Sequence, residues 1–400
     1  MAVVVGTVYV LTNGVGNLIF GALADMYPRK YLWLITCLVW TACTFLESYA
    51  QNFTQLLIAR MGFALVMGSS VPLCVSLLSD FTMPSERGLA QSLYASGLYI
   101  GYGMASLSIL INERFGWRET VRIVCFVSWA CVIPMFFVPE PVRNETNRLA
   151  QEAKQARSQL FEVDPSVKTF GARMCFLVKN SCYRYLLFAV FFRGFSGACI
   201  GFLSGQFFEQ RYPDNLTQFS YMNTVVVIGG GLPAVVIGGW ISDRFESKIG
   251  SIKGIIAGIG ALISTPFIIG AFVVQPDNFW VAITLYYFAF FTAEAWYGPA
   301  HAQINNMFPS EFQGFAVAVF NFISACGGSV ATLTLGALKT RFEREDDPDF
   351  NHALNGYLMA AGVCTGYLIC GPLFLVSGAK YSNQMKQVRA KLMLKNEPIQ

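Results

Sequence analysis

The stretch GALADMYPRK, residues 21–30, closes an apolar run that begins at the first residue of the chain. A shorter copy of it, GWISD, starts 218 residues further along, at residue 239. A second pair, PSERGLA at residues 84–90 and PSEFQGFA at residues 309–316, is offset by 225 residues at its proline. Two pairs with nearly equal offsets, both at helix–loop boundaries, indicate that one half of the chain is a duplicate of the other.

The composition indicates a protein that crosses a membrane many times. Of its 400 residues, 54% are hydrophobic and 13% are charged, and the mean hydropathy is +0.48. A bilayer core about 30 Å thick requires about 20 apolar residues per helix. Measured by that length, the sequence predicts eleven spans, near residues 3–23, 31–49, 54–79, 88–111, 120–138, 185–208, 220–242, 251–274, 279–305, 313–338 and 354–377.

A long polar connection divides the spans unequally, with five before it and six after it. The repeat offset places the partner of span 185–208 upstream of residue 1. We therefore expect an all-α membrane fold of two six-helix bundles, with 11 of 12 transmembrane helices present and the first one missing. The predicted domains are an N-terminal bundle (1–139), a cytoplasmic linker with a helical stretch around 147–160 (140–184), a C-terminal bundle (185–378) and a cytoplasmic tail (379–400).

The basic residues predict the orientation. The loops on the same side as residues 21–30 carry 19 of the 28 lysines and arginines, and the opposite loops carry 7, so the first side is expected to be cytoplasmic. The glycosylation sequons at Asn52 and Asn215 then face away from the cytoplasm, while the one at Asn144 is cytoplasmic and should stay unmodified. Both the plasma membrane and an endolysosomal membrane fit this topology.

No set of residues points to catalysis. The two histidines, His301 and His352, have no companion at a metal-ligand spacing. Most of the eleven cysteines lie in apolar runs, where thiols pack as small apolar groups. We therefore expect no enzyme activity, no metal, no cofactor and no nucleic-acid partner.

Three ionisable residues lie at bilayer depth: Arg60, Arg193 and Glu294. Such groups cost about 2.5–3.5 kcal/mol each on insertion scales, so they usually face a cavity or a partner. We expect the arginines to attract an anionic group of a solute, and Glu294 to pair with one of them or to exchange a proton. The alternative is a structural ion pair between helices, or an arginine that snorkels to the interface.

Several motifs resemble those of the major facilitator superfamily. They are the turn Gly21-x-x-Ala24-Asp25 with its basic pair, its copy GWISD, and the arginine of LIARMGFALVMG. The stretches GGWISDR, FGWRETVR and MFPSEFQGFAVAVFNF resemble spinster-type transporters in particular. Spinster-like proteins tend to carry a glutamate seven residues after that arginine, where this chain has Met67.

This resemblance implies secondary active transport of a small organic, anionic or lipid-like solute by alternating access, coupled to protons. The partners would be the solute, H⁺ and membrane lipid, and the protein is expected to be a monomer. The alternative is a non-transporting receptor or scaffold, or a truncated inactive member of the same fold.

The resemblance also implies charge latches at the cytoplasmic ends of the helices, which break and reform as the cavity opens. The alternative is that these residues are ordinary loop charges, present because cytoplasmic loops are rich in lysine and arginine. The expected latch residues are Asp25, Arg29, Lys30 and Asp80 in the first half and Asp243, Arg244 and Lys248 in the second.

Overall fold

The computed structural model describes residues 8–81, 87–137, 170–274, 278–308, 310–343 and 348–395, and all regular structure in them is helical. The α-helices are α1 (Tyr9–Met26), α2 (Arg29–Glu47), α3 (Phe53–Met67), α4 (Ser70–Phe81), α5 (Arg87–Phe137), α6 (Phe170–Lys179), α7 (Ser181–Arg211), α8 (Leu216–Thr224), α9 (Leu232–Phe245), α10 (Ile252–Ile269), α11 (Phe279–Ala293), α12 (Tyr297–Met307), α13 (Ser310–Phe342) and α14 (Pro348–Lys395). Short 3₁₀ turns lie at Pro213–Asn215 and Glu294–Trp296, and π-helical segments at Val225–Gly231 and Gly270–Val274.

Within the described residues, eight helical segments are long and apolar enough to cross a membrane. They are Phe53–Val75, Leu110–Phe137, Ser181–Arg211, Pro213–Phe245, Ile252–Val273, Phe279–Met307, Phe312–Phe342 and Ala353–Val388. The other three predicted spans correspond to α1, α2 and the first part of α5, which are helical but are not among these eight. The chain is therefore an all-helical, multi-pass membrane protein, and the count of eleven stays a prediction. The helical stretch expected near 147–160 lies outside the described residues.

Helix α5 consists of two helices joined at Gly116. This residue has φ 76° and ψ 163°, a backbone conformation that favours glycine because it lacks a Cβ atom. Its position agrees with the predicted connection between spans 88–111 and 120–138. The run of helical residues is thus broken by a kink at FGWR.

The second half is organised around α7, which packs against α13 and α14, while α14 also packs against α10. Glycines allow the close approaches. An ideal Cβ on Gly254 would lie 2.6 Å from Gly378 Cα, and one on Gly194 would lie 2.7 Å from Ser324 Oγ. Small residues at such contacts bring helix backbones together, which is how membrane helices gain packing contacts.

Among the described residues, two of the contacts between the halves are extensive. Helix α1 packs against α13, where an ideal Cβ on Gly14 would lie 2.8 Å from Phe322 Cδ2. Helix α5 packs against the segment from α8 to α9, and Thr224 Oγ1 donates a hydrogen bond to the Gly103 carbonyl oxygen at 2.9 Å. The site described next lies beside this second contact.

Candidate functional site

An ion pair lies in the middle of the membrane helices of the second half. Arg193 Nη2 is 2.5 Å from Glu294 Oε1, and the two side chains are 4% and 13% exposed. Arg193 is near the centre of α7, and Glu294 is near the centre of the span Phe279–Met307. Two of the three residues selected from the sequence are therefore in direct contact.

The helix that carries Glu294 is irregular at that residue. A 3₁₀ turn, Glu294–Trp296, separates α11 from α12, and the neighbouring span is interrupted by the π segment Val225–Gly231. The two irregular regions are joined by the Tyr287 hydroxyl, which donates to the Gly229 carbonyl oxygen at 3.0 Å. Irregular backbone at membrane depth occurs where it is buried in protein or lines a cavity, and π segments are frequent at functional sites.

Tyr99 of the first half completes the pair. Its hydroxyl donates to Glu294 Oε2 at 2.8 Å, so both carboxylate oxygens have a partner. The tyrosine ring lies against Gly231, where an ideal Cβ would be 2.6 Å from Tyr99 Cε1. Sequence reasoning missed Tyr99, because nothing in its sequence context separates it from the other sixteen tyrosines.

Aromatic rings surround the Arg193 guanidinium. Its central carbon is 5.1 Å from the centroid of the Trp296 ring and 5.2 Å from that of Tyr367. Such contacts stabilise a cation in an apolar environment. Arg193 Nε and Trp296 Nε1 are buried and have no hydrogen-bond partner among the described residues. The arrangement carries no net charge when Glu294 is ionised and one positive charge when Glu294 is protonated.

Arg60 belongs to a separate pair in the first half. Its Nη1 is 3.0 Å from Glu47 Oε2, with Arg60 41% exposed and Glu47 5% exposed. The guanidinium also lies over the rings of Tyr9 and Phe63, at 5.3 and 5.8 Å. Sequence reasoning missed Glu47, because it stands at the end of a predicted span, where a carboxylate needs no buried partner. A carboxylate from α2 therefore pairs with Arg60, in a region where the family resemblance implied one from α3.

The latch residues of the first half are described only in part. Asp25, Arg29 and Asp80 lie in the end regions of α1, α2 and α4, and their side chains are outside the described part of the structure. Lys30 is buried, and its Nζ donates to the Phe136 carbonyl oxygen at 3.2 Å. It therefore binds the last turn of α5, where a cation is favoured by the helix dipole.

In the second half, Asp243, Arg244 and Lys248 are all exposed, and the structure shows no ion pair for them among the residues that it describes. The ion pair near this end joins Lys253 Nζ to Glu246 Oε1 at 2.5 Å, with Lys253 only 1% exposed.

Hydrogen bonds extend the Lys253–Glu246 pair towards α14. Tyr381 donates to Glu246 Oε1 at 2.6 Å, and Asn306 Nδ2 donates to the Tyr381 hydroxyl at 2.9 Å. Sequence reasoning selected the charges beside this network and missed its members.

The two sequons on the predicted outer side occupy helix starts. Asn52 is exposed and caps α3, where its side-chain oxygen accepts a hydrogen bond from the backbone N–H of Gln55 at 2.9 Å. Asn215 is half-buried at the end of the 3₁₀ turn that precedes α8. Asn144 lies outside the described residues.

Comparison with known proteins agrees with this architecture. Residues 2–332 match the family model of the Major Facilitator Superfamily. The cis,cis-muconate transport protein of Acinetobacter baylyi is 23% identical over 377 residues, which is 92% of this chain and 84% of that protein. Protein spinster of Drosophila melanogaster is 20% identical over 276 residues, 68% of this chain and 44% of that protein.

Among solved structures, a bacterial homologue of the human lysosomal transporter Spinster, in an inward-facing and unoccupied conformation, superposes with a TM-score of 0.71. That alignment covers 95% of this chain and 90% of the homologue at 16% sequence identity, and it shows a shared fold. The resemblance to spinster-type transporters that the sequence motifs indicated is confirmed, and the chain belongs to the Major Facilitator Superfamily.

Proposed function

We propose that this protein is a secondary active transporter that moves a small organic, anionic or lipid-like solute by alternating access, coupled to protons. The observation that carries the proposal is the buried Arg193–Glu294 pair, which Tyr99 contacts from the other half. The proposal includes two six-helix bundles, of which this sequence supplies eleven spans. It also includes a monomer in contact with lipid, in the plasma membrane or an endolysosomal membrane.

The pair offers a physical route for coupling. An anionic group of a solute and the Glu294 carboxylate compete for the same guanidinium. Protonation of Glu294 removes its charge, leaves the positive charge of Arg193 uncompensated in an apolar environment, and so favours binding of the anion. A proton taken up by Glu294 and an anion bound by Arg193 are then linked, since each makes the other more favourable.

The position of Tyr99 supports the proposal of alternating access. Because its hydrogen bond to Glu294 joins the two halves, a rocking motion of one half against the other must break it. Anything that changes the charge of Glu294 also changes the strength of this bond. Solute binding and movement therefore act on one carboxylate.

The class of solute is supported by the site and by the relatives. One buried arginine flanked by the rings of Trp296 and Tyr367 suits an organic acid with an apolar body. The relative from Acinetobacter baylyi is named for transport of cis,cis-muconate, an organic anion. Membership of a transporter family does not favour the alternative of a non-transporting receptor or an inactive member, and we propose no enzymatic activity.

The test is transport by the full chain in proteoliposomes, with radiolabelled cis,cis-muconate as the first probe. We expect uptake driven by a pH gradient in the unmodified protein. Glu294→Gln should abolish that uptake but retain counterflow of labelled against unlabelled solute, which needs no net proton movement. Glu209→Gln, at an exposed glutamate near the end of α7, is the matched control and should behave like the unmodified protein. Normal pH-driven uptake by Glu294→Gln would contradict the proton role.

A further inference from the structure

His301 carries a buried nitrogen without a partner. The side chain is 1% exposed, and its Nδ1 lies 2.9 Å from the Tyr297 carbonyl oxygen. A carbonyl oxygen only accepts, so Nδ1 carries a proton, and in the neutral imidazole Nε2 then presents a lone pair. That Nε2 atom is buried and has no hydrogen-bond partner among the described residues. A buried acceptor left unpaired costs free energy, so the nitrogen calls for a donor that these residues do not provide.

This nitrogen lies close to the ion pair and to the interface between the halves. His301 follows Glu294 by seven residues, in the helix that continues from the 3₁₀ turn of Glu294. Its ring contacts that of Tyr297 at a tilt of 34°, with centroids 4.2 Å apart. Tyr297 in turn packs against a buried cluster that contains Ala95 and Tyr99 of the first half together with Val227 and Val235. His301 is thus part of the same central region as the ion pair.

A second unpaired polar atom belongs to Trp296, which lies between Glu294 and His301 in the sequence. Trp296 Nε1 is buried without a partner in the described structure, and an indole nitrogen only donates. The Trp296 ring is 5.1 Å from the Arg193 guanidinium and 6.3 Å from the Phe320 ring, and Phe320 is also 5.3 Å from the His301 ring. Trp296 thus carries an unused donor and His301 an unused acceptor, and the rings of both residues lie near the ring of Phe320.

We propose that His301 and Trp296 form a subsite that binds a hydroxyl group of the transported solute, while the anionic group of that solute binds Arg193. A hydroxyl is complementary to this pair, because it donates to His301 Nε2 and accepts from Trp296 Nε1. The solute class is then a hydroxylated organic acid, with an apolar body that separates its anionic group from its hydroxyl group. This inference rests on the proposed function and specifies its substrate class.

The experiment compares two acids that differ by a single hydroxyl. Binding of 4-hydroxycinnamate and of cinnamate to the purified full chain in lipid nanodiscs is measured by calorimetry. The unmodified protein should bind the hydroxylated acid about tenfold more tightly or better, as expected for a site whose buried polar groups are paired only by that hydroxyl. His301→Phe should lose this preference, while His301→Gln, which keeps an acceptor, should retain part of it.

A second variant and its control make the test independent of folding at His301. Trp296→Phe should also reduce the preference, and Trp240→Phe, at an exposed tryptophan in α9, should not. Arg193→Met should weaken binding of both acids alike.

Three results would overturn the inference. Equal affinity of the unmodified protein for the two acids, the result expected if only a water molecule fills the subsite, would overturn it alone. A preference for the hydroxylated acid that survives in both His301→Phe and Trp296→Phe would also overturn the inference alone. The proposed function would then stand, as long as binding of the acids still depends on Arg193. Failure to bind either acid, or binding that Arg193→Met leaves unchanged, would overturn the proposed solute class together with the inference.

Discussion

The hydrogen bond from Tyr99 to Glu294 can be removed with almost no change of shape, because Tyr99→Phe deletes one oxygen atom. Tyr99 is 8% exposed, and the bond is 2.8 Å long to a carboxylate that is ion-paired. A hydrogen bond to a charged group contributes about 1.5–3 kcal/mol. Conformations with the halves in contact at this point should lose that amount relative to conformations in which they are apart. Since each 1.4 kcal/mol is tenfold, the ratio of the two populations should shift about tenfold to a hundredfold.

The shift can be measured as a distance between the halves. Spin labels at Tyr27, which is 53% exposed at the end of α1, and at the exposed Lys248 after α9 report one end of the molecule by double electron–electron resonance. The eleven cysteines form no disulfide, so they can be replaced beforehand without breaking a covalent link. In Tyr99→Phe we expect a larger fraction of the conformation in which the two halves are apart at Tyr99 and Glu294.

Tyr287→Phe is the matched control. It deletes a tyrosine hydrogen bond of 3.0 Å that lies wholly within the second half, so it should lower stability without changing the distance distribution. If Tyr99→Phe and Tyr287→Phe both leave the distribution unchanged, the Tyr99 bond does not hold the halves together. If both change it equally, the change reports general loosening, and the reasoning from the contact between the halves is refuted.

Three further predictions address packing, the second ion pair and topology. Gly194→Ala should destabilise the protein by about 1–3 kcal/mol, because the new methyl group would meet Ser324; Gly201→Ala on the same helix, which has nothing within 4 Å, should be tolerated, and thermal unfolding of the two variants compares them. Lys253→Met should cost about 3 kcal/mol by removing the buried cation that pairs with the Glu246 carboxylate, and the loss should be smaller when Glu246 is also neutralised, as a double-mutant cycle would measure. In a glycosylating host, Asn52→Gln and Asn215→Gln should each remove one glycan and raise electrophoretic mobility; an unchanged mobility in both would contradict the predicted orientation.

The class of protein and its family could be predicted from the sequence because both depend on local features. Apolar runs of about 20 residues indicate membrane helices wherever they occur, and the repeated GWISD and PSE motifs need no knowledge of contacts. The number of spans was harder to predict. Helices α1 and α2 lie at the predicted spans 3–23 and 31–49, but they are not among the eight described segments that are long and apolar enough to cross a membrane.

The centre of the site could be predicted only in part. Arg193 and Glu294 are recognisable because a charge within an apolar helix is costly and therefore needs a partner. Tyr99 and Glu47 were missed for a different reason. The contact between Tyr99 and Glu294 joins residues 195 positions apart, and it depends on how two helices pack. The charges after α9 show the same limit, since the structure pairs Glu246 with Lys253 and leaves the nearby Lys248 exposed.

The two membrane ion pairs differ in a way that bears on mechanism. In the first half, Arg60 remains 41% exposed and its contacts are with residues of α1, α2 and α3. In the second half, Arg193 and Glu294 are both buried, and Glu294 also contacts the first half through Tyr99. A ligand can shift a conformational equilibrium only by interacting differently with the two states. Of these two pairs, only the second combines a group that can bind an anion with a contact that the proposed motion would break. We therefore expect substitutions at Glu294 to change both the conformational equilibrium and proton coupling, and substitutions at Glu47 to leave the contact between Tyr99 and Glu294 intact.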